Sequence, residues 1–386
     1  MFPDEQDLAQ DLADATAWRR KLHRSPELSG EEAQTAREVC AFLASAQPDR
    51  ILCDLGGHGV AAVYAGAAPG PTVMFRAELD GLPIEEISDL PYRSTAPGKG
   101  HLCGHDGHMA TLAVLARGLA QRRPARGRAV LLFQPAEENG AGAAAVLRDP
   151  RFQEIAPDLA FAYHNLPGLA LGRAALAAGP VNCASRGMRV TLSGRTAHAS
   201  TPENGVSPMR ALASLMPSLT ALGRGSTLDP DFAMVTVTHA RIGEPAFGVA
   251  PGHAEIWATL RTLTDPGMEA LQAQAEAEVR RTGQENGLRV AIAYEDVFAH
   301  CENAPEAVAC LRRALEAEGV PHDHENLPMR ASEDFGRFGQ RAPAAMVFLG
   351  SGETHAGLHN PDYDFPDALI GLGARIFMRA LRDSLG

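Results

Sequence analysis

The chain has 386 residues, 45% hydrophobic, 21% charged and 5% aromatic, the balance of an ordinary globular protein of roughly two domains. Its formal net charge is −12 with both signs interspersed, which disfavours a nucleic-acid backbone or an anionic membrane as main partner. An anionic small substrate is not excluded, since it needs only one local arginine.

Helical spacing of apolar residues predicts helices over 5–21 and 31–46. HRSPELSG joins them, with Pro26 and Gly30 marking a turn and Ser29 placed to cap the second helix. Short apolar runs follow, each closed by turn residues: GVAAVYAG, PTVMFRAELD, RAVLLFQPAEEN and PDLAFAYHN. Helical patterns such as HMATLAVLARGLAQ and AGAAAVLRD alternate with them. Continuously apolar strands alternating with helices predict an α/β domain with a largely parallel sheet.

The pattern changes near residue 182. SRGMRVTLSGR alternates with period two, SPMRALASLMPSLTAL is helical, and FAMVTVTHARIG and HAEIWATLRTL are strands. A charged helix, MEALQAQAEAEVRRTGQ, and a last strand, LRVAIAYED, complete a β-α-β-β-α-β order, that of a compact α+β unit. From residue 297 the first pattern resumes, ending in a C-terminal helix. The expected organisation is a catalytic domain over 1–181 and 297–386, with residues 182–296 inserted into it.

The acidic start, MFPDEQDLAQDLADAT, carries no charged-then-apolar leader. No apolar run approaches the ~18 residues that span a bilayer. Cys40, Cys53, Cys103, Cys183, Cys301 and Cys310 are dispersed, without a CxxC pair, as in a protein with reduced thiols. A cytoplasmic location is the expectation, and all but Cys103 read most simply as packing residues.

The chemistry concentrates at strand ends, where open α/β sheets bind ligands. GHLCGHDGH places three histidines, a cysteine and an aspartate within nine residues. PTVMFRAELD ends in Glu78 and Asp80, RAVLLFQPAEE in Glu137 and Glu138, PDLAFAYH in His164, and THAGLHNP carries His355 and His359. With Cys103 and His105 these supply thiolate, imidazole and carboxylate donors, a mixture that suits Zn²⁺, Mn²⁺ or a similar divalent ion. There are more donors than one tetrahedral centre takes, so two ions fit the count.

Eight stretches in order along the chain carry a family resemblance: RRKLHRSPELSGEE, FRAELDGLPIEE, HLCGHDGHM, FQPAEENGAGA, YHNLPG, TAHASTPENGVSP, SEDF and GLHNPDYDF. Together they resemble the M20 metallopeptidase and amidohydrolase family, in its branch of hippurate hydrolases, N-acyl-amino-acid amidohydrolases and auxin-conjugate hydrolases. The resemblance implies a zinc-exopeptidase-like catalytic domain, its mostly parallel mixed sheet flanked by helices, and an inserted ferredoxin-like lid that also forms a homodimer. It implies two divalent ions per subunit, Mn²⁺ or Zn²⁺ with Co²⁺ or Ni²⁺ as alternatives. Their ligands would be Cys103, His105, Glu138, His164 and His359, with Cys103 bridging. Glu137 matches the general base acting on a metal-activated water, and Asp80 the aspartate that orients a metal-site residue. His198 matches a histidine that reaches a neighbouring subunit's site and assists the oxyanion. Arg261 matches a position that binds the substrate carboxylate, though sequence alone reads it equally well as a solvated strand-end arginine. Asp106 is placed to hold the loop or a helix N-terminus. His101 and His108 flank the ligands without being assigned as such, and His355 reads as a loop residue.

One segment departs from the family pattern. RIGEPAFGVAPGH has Glu244 in place of a second glycine and Gly248 where the family carries a substrate-contacting asparagine. Glu244 reads either as an exposed loop acid or as a charge favouring a cationic substrate group. The expected substrate is a small N-acyl amino acid, cleaved to carboxylate and amino acid. A dipeptidase, an aromatic-amine deaminase and a catalytically silent binding protein are the alternatives.

Overall fold

The computed structural model describes residues 5–386; the first four residues of the acidic start lie outside them. In chain order, helices α1 (Glu5–His23) and α2 (Ala33–Ser45) lead into β1 (Arg50–Leu55), β2 (Gly59–Ala65) and β3 (Ala68–Glu78). Next come α3 (His105–Gln121), β4 (Arg126–Gln134), α4 (Gly142–Arg148) and β5 (Leu159–Pro167). The middle of the chain forms β6 (Ala184–Ser193), α5 (Met209–Thr220), β7 (Ala233–Ile242), β8 (His253–Thr262), α6 (Asp265–Glu285) and β9 (Arg289–Phe298). The chain closes with α7 (Pro305–Ala317), β10 (Ala344–Gly352) and α8 (Ala368–Leu385). No helix among the described residues is long and apolar enough to cross a membrane.

These elements form two compact units, one of the residues up to Val181 with Glu302–Leu327 and Asp334–Gly386, the other of Asn182–Cys301 with Pro328–Glu333. The second unit runs past residue 296 because β9 continues to Phe298 through a register shift after Glu295, where Asp296 turns left-handed at φ +49°. Its return segment is tied in by the Cys183 amide, which donates to the Met329 and Ala331 carbonyls.

In the first unit an eight-stranded sheet runs β1-β2-β4-β3-β5-β10, completed by the short strands Ala174–Ala175 and His322–Asp323. The central four are parallel, with Val73 opposite Ala129 and Leu159, and His164 opposite Phe348. Six consecutive residues of β4 and eight of β10 are buried, so these strands read as continuous apolar runs. Helices α3 and α8 pack on β3 and on each other, and α2 on β1 and β2. Every residue of α3 from His105 to Ala116 is buried, which explains its apolar character all round.

The second unit is a four-stranded antiparallel sheet, β7-β8-β6-β9, with α5 and α6 packed on it. Buried and less buried positions alternate along β8, the period-two pattern that the sequence carries. The β-α-β-β-α-β order is as predicted, and the whole is a mixed α/β fold.

Two buried ionic clusters tie the first unit together. Arg76 reaches Glu78 and, at 2.5 Å, Asp334, while its Nε donates to Gln134 at 3.0 Å. Gln134 Nε2 returns to both Asp334 oxygens at 2.9 Å. Arg19 lies against Asp106 (3.0 Å), Asp364 (2.9 Å) and Asp367 (2.7 Å), and His23 adds contacts with Asp106 (2.9 Å) and Glu86 (3.3 Å). The second cluster fixes α1 to the first turn of α3 and to the loop before α8. Here Asp106, read as a loop or helix-start residue, also receives its own neighbour's amide, that of Gly107 (3.0 Å). Ser29 does not cap α2, whose N-terminal residue Glu32 makes no side-chain cap; its hydroxyl is drawn instead to Asp80.

Two predictions follow from burial and charge. Replacing Arg76 with leucine strands Glu78 and Asp334 in the core and should cost about 3–5 kcal/mol in denaturant unfolding; a loss below about 1 kcal/mol, the scale of an exposed pair, would contradict that picture. Burial alone would lower the His23 pKa, but the Asp106 charge and bonds to Asp106 and Glu86 raise it from 6.5 to about 9. A raised folded-state pKa stabilises fully below pH 6.5 and is lost as pH climbs through about 9. The stability gap between the native chain and His23→Gln should therefore narrow over that window; a gap that widens would contradict the assignment.

Candidate metal centre

The carboxyl ends of the parallel strands β3, β4, β5 and β10 and the N-terminus of α3 bring the expected donors into one cluster. The loop that delivers Cys103 and His105 depends on glycine. Gly104 is left-handed at φ +95°, and a Cβ there would lie 2.4 Å from Asn165 Oδ1; one on Gly107 would lie 2.3 Å from the Phe365 ring.

Ligand atoms of Cys103, His105 and His164 lie within 4.8 Å of one another, as do those of Cys103, Glu138 and His359. Cys103 belongs to both triads, and its Sγ is 3.5 Å from His164 Nε2. A third grouping joins His105, Glu137 and Glu138. Cys103, His105 and Glu137 are buried, Glu138 and His164 are half-buried, and His359 is the open side of the cluster, with its side chain 49% exposed.

The two imidazoles of the first triad are set for metal binding by what holds their other nitrogens. His105 Nδ1 donates to the Asp80 carbonyl at 2.9 Å, and His164 Nδ1 to the Asn165 carbonyl at 2.8 Å. A carbonyl only accepts, so the neutral rings keep their lone pairs on Nε2. His105 Nε2 is buried without a hydrogen-bond partner, 3.8 Å from Glu138 and 3.9 Å from Glu137. Those separations are too long for hydrogen bonds and leave room for a cation among the three groups. Burial alone would lower the His105 pKa, yet the bond to Asp80 and the Glu138 and Asp80 charges raise it. The pocket calls for positive charge, and the donor set fits a divalent ion.

Asp80 lies under this cluster. Its Oδ2 accepts the Ser29 hydroxyl (2.7 Å) and the Glu138 amide (3.0 Å), and its Oδ1 is 3.4 Å from His105 Nδ1. Burial pushes its pKa up, but the His105 bond and charge and the Glu138 and Ser29 bonds outweigh burial and hold it below the usual range. Glu137 follows a strained residue: Ala136 has φ +50°, and its amide donates at 2.7 Å to the Glu32 carboxylate. The Asp334 amide approaches Glu137 Oε1 at 3.4 Å. His359 is also left-handed, at φ +65°, with its amide bound to the Leu102 carbonyl at 2.8 Å. Burial, then His105, lower its pKa.

The sequence reading named Glu78 and His108 without partners, and it did not single out Arg76, Asn165 or Tyr363. His108 bridges Glu78 and Asn165 at 2.6 Å each, and Asn165 donates to the Tyr363 hydroxyl at 2.5 Å. Arg76, Glu78 and Asp80 recur at every second position, the strand-face period that could have grouped them, and SEDF marked Asp334. His355 bonds the Asp364 carbonyl at 2.6 Å, as a loop residue does.

The remaining candidates belong to the second unit. His198 pairs with Val249 in a two-residue ladder and is exposed. Its Nδ1 accepts the Ser200 amide at 3.1 Å, which places the neutral ring's proton on Nε2. The Gly248 carbonyl accepts the Ala199 amide at 3.0 Å, and a Cβ on Gly248 would meet nothing within 4 Å. Glu244 pairs with Arg241 in solvent, so its charge is partly answered within its own loop. Arg261 donates through Nη1 to the Arg330 carbonyl (2.9 Å) and to Ser332 Oγ (2.8 Å), and burial lowers its pKa.

Comparison with known proteins gives the family and the fold. The model of peptidase family M20/M25/M40 matches residues 74–383. An N-acetyldiaminopimelate deacetylase of Anoxybacillus flavithermus is 30% identical, with 92% of this chain and 95% of that protein covered. The hippurate hydrolase of Campylobacter jejuni is also 30% identical, with 94% of each chain covered. Among solved structures, Bacillus subtilis YXEP, described as a dinuclear metal binding peptidase from the M20 family, superposes with TM-score 0.81 at 25% identity, covering 98% of this chain and 99% of that one. The chain belongs to peptidase family M20/M25/M40.

Proposed function

We propose that this protein is a metal-dependent amidohydrolase that cleaves the amide of small N-acyl amino acids to a carboxylate and a free amino acid. The observation that carries this reading is the pair of donor triads sharing Cys103, with a buried carboxylate, Glu137, beside them. The relatives named for deacetylation or hydrolysis of N-acyl amino acids support the substrate class.

Cys103, His105 and His164 would hold one ion, and Cys103, Glu138 and His359 the other, Mn²⁺ or Zn²⁺ being the first choices and Co²⁺ or Ni²⁺ the alternatives. Bound divalent ions acidify water and polarise an amide carbonyl. Glu137 takes the proton of the attacking water and returns it to the departing amine. Asp80 fixes the His105 ring and, through the Glu138 amide, the neighbouring carboxylate. His198, with its Nε2–H free to donate, stabilises the oxyanion from a partner subunit in a homodimer formed through the inserted unit. Arg261 binds the substrate carboxylate. Gly248 leaves open the space an asparagine would occupy, so preference on that side follows shape rather than a bond to an amide. A thiolate ligand at Cys103 suits a reducing compartment, which supports a cytoplasmic location.

Amine release from a panel of N-acetyl and N-benzoyl amino acids, with Mn²⁺ or Zn²⁺ supplied, should be abolished by EDTA and restored by metal. Glu137→Gln should lose about 10²–10⁴-fold in kcat while keeping its metal. No release from metal-loaded protein would overturn the reading; ammonia or paired amino acids as products would redirect it to a deaminase or dipeptidase. His198→Ala should lower kcat by about 10²–10³ with metal content unchanged. An undiminished kcat would remove His198 from the mechanism.

A further inference from the structure

Away from the donor cluster, two cysteines separated by 13 positions meet. Cys40 Sγ and Cys53 Sγ lie 3.1 Å apart. Cys40 sits on α2 and is half-buried; Cys53 sits on the edge strand β1 and is exposed. Both are held in place by their own elements. The face of α2 that carries Thr35, Ala36, Val39 and Leu43 is buried in the core. β1 is irregular between Leu52 and Leu55, where Asp54 is left-handed at φ +58°, and Arg151 Nη1 pins the Cys53 carbonyl at 2.8 Å. Cys53 lies within this irregular stretch, with its exposed thiol against that of Cys40. A disulfide measures about 2.05 Å between sulfurs, so the two thiols, 3.1 Å apart, must approach by about 1 Å to bond. The other four cysteines are buried.

We propose that Cys40 and Cys53 form a reversible dithiol–disulfide pair that exchanges with low-molecular-weight disulfides. The exposed Cys53 thiolate attacks a sulfur of the small disulfide; that S–S bond breaks and one small thiolate leaves, giving a mixed disulfide on Cys53. Cys40 then gives up its proton and attacks Cys53 Sγ, forming the internal disulfide and expelling the second small thiolate. Two protein thiols are oxidised and one small disulfide is reduced to two thiols. The order follows from exposure, since Cys53 is open to solvent and Cys40 is half-buried. Burial, and then the neighbouring Cys53, push the Cys40 thiol up to about 12.

The test uses Mn²⁺-loaded full-length protein equilibrated in glutathione buffers from fully reduced to oxidised, quenched with an alkylating agent and digested with trypsin. Cleavage at Arg37, Arg50 and Arg76 puts the two cysteines on separate peptides, 38–50 and 51–76. The expected result is the loss of two of the six thiols, with these peptides joined and two hydrogens lighter than their reduced sum, and reversal by excess reduced glutathione. Cys40→Ser should stop at a glutathione adduct on Cys53, and Cys53→Ser should leave Cys40 unmodified. A stable glutathione adduct on Cys53 in the native chain, a link from Cys53 to any other cysteine, or six free thiols in the most oxidising buffer would overturn the proposal.

Discussion

The cluster of donors depends on Asp80 more than on any ligand. One carboxylate oxygen accepts the Ser29 hydroxyl and the Glu138 amide, the other faces His105, and the same residue's carbonyl takes the His105 Nδ1 proton. Three segments distant in the sequence therefore meet on a single residue at the end of β3. With that contact made, His105 Nε2 has no direction to face but the other donors. The carboxylates of Asp80 and Glu138 surround His105 with negative charge, which raises its pKa even though burial opposes it.

Below this level the first unit relies on paired charges in its interior. Arg76 and Arg19 are fully buried, each surrounded by carboxylates. Such pairs contribute little net stability against an apolar core, but they penalise any arrangement that separates the partners. The Arg76 cluster spans β3, β4 and the segment carrying Asp334, whose amide approaches Glu137. The Arg19 cluster fixes the helix that starts at His105. Both act on the geometry of the site through its scaffold. The strained backbone at Ala136 and His359 fits the same picture, since each amide donates a hydrogen bond to an acceptor on a distant segment.

What was legible in the sequence was what repeats locally. Apolar runs closed by acidic residues or histidine marked the strand ends, so Asp80, Glu137, Glu138 and His164 could be read from position, and CxH spacing identified Cys103 and His105. Period-two and helical patterns revealed the β-α-β-β-α-β order of the second unit. Contacts that close only in three dimensions left no such trace. Ser29 reads as a helix cap, yet its partner is Asp80, 51 positions away. Glu32 supports Ala136 across 104 positions, and Arg76 meets Asp334 across 258. The Cys40–Cys53 contact is shorter in sequence, but it joins a helix to an edge strand and no composition or spacing rule announces it.

The proposed function requires one thiolate, Cys103, to be shared by two ion sites. Crystals grown with Mn²⁺, measured at an energy where manganese scatters anomalously, test it directly. Two anomalous peaks are expected with Cys103 Sγ between them, one against His105 and His164 and the other against Glu138 and His359. A single peak, or a pair that leaves Cys103 outside the coordination of either ion, would contradict it.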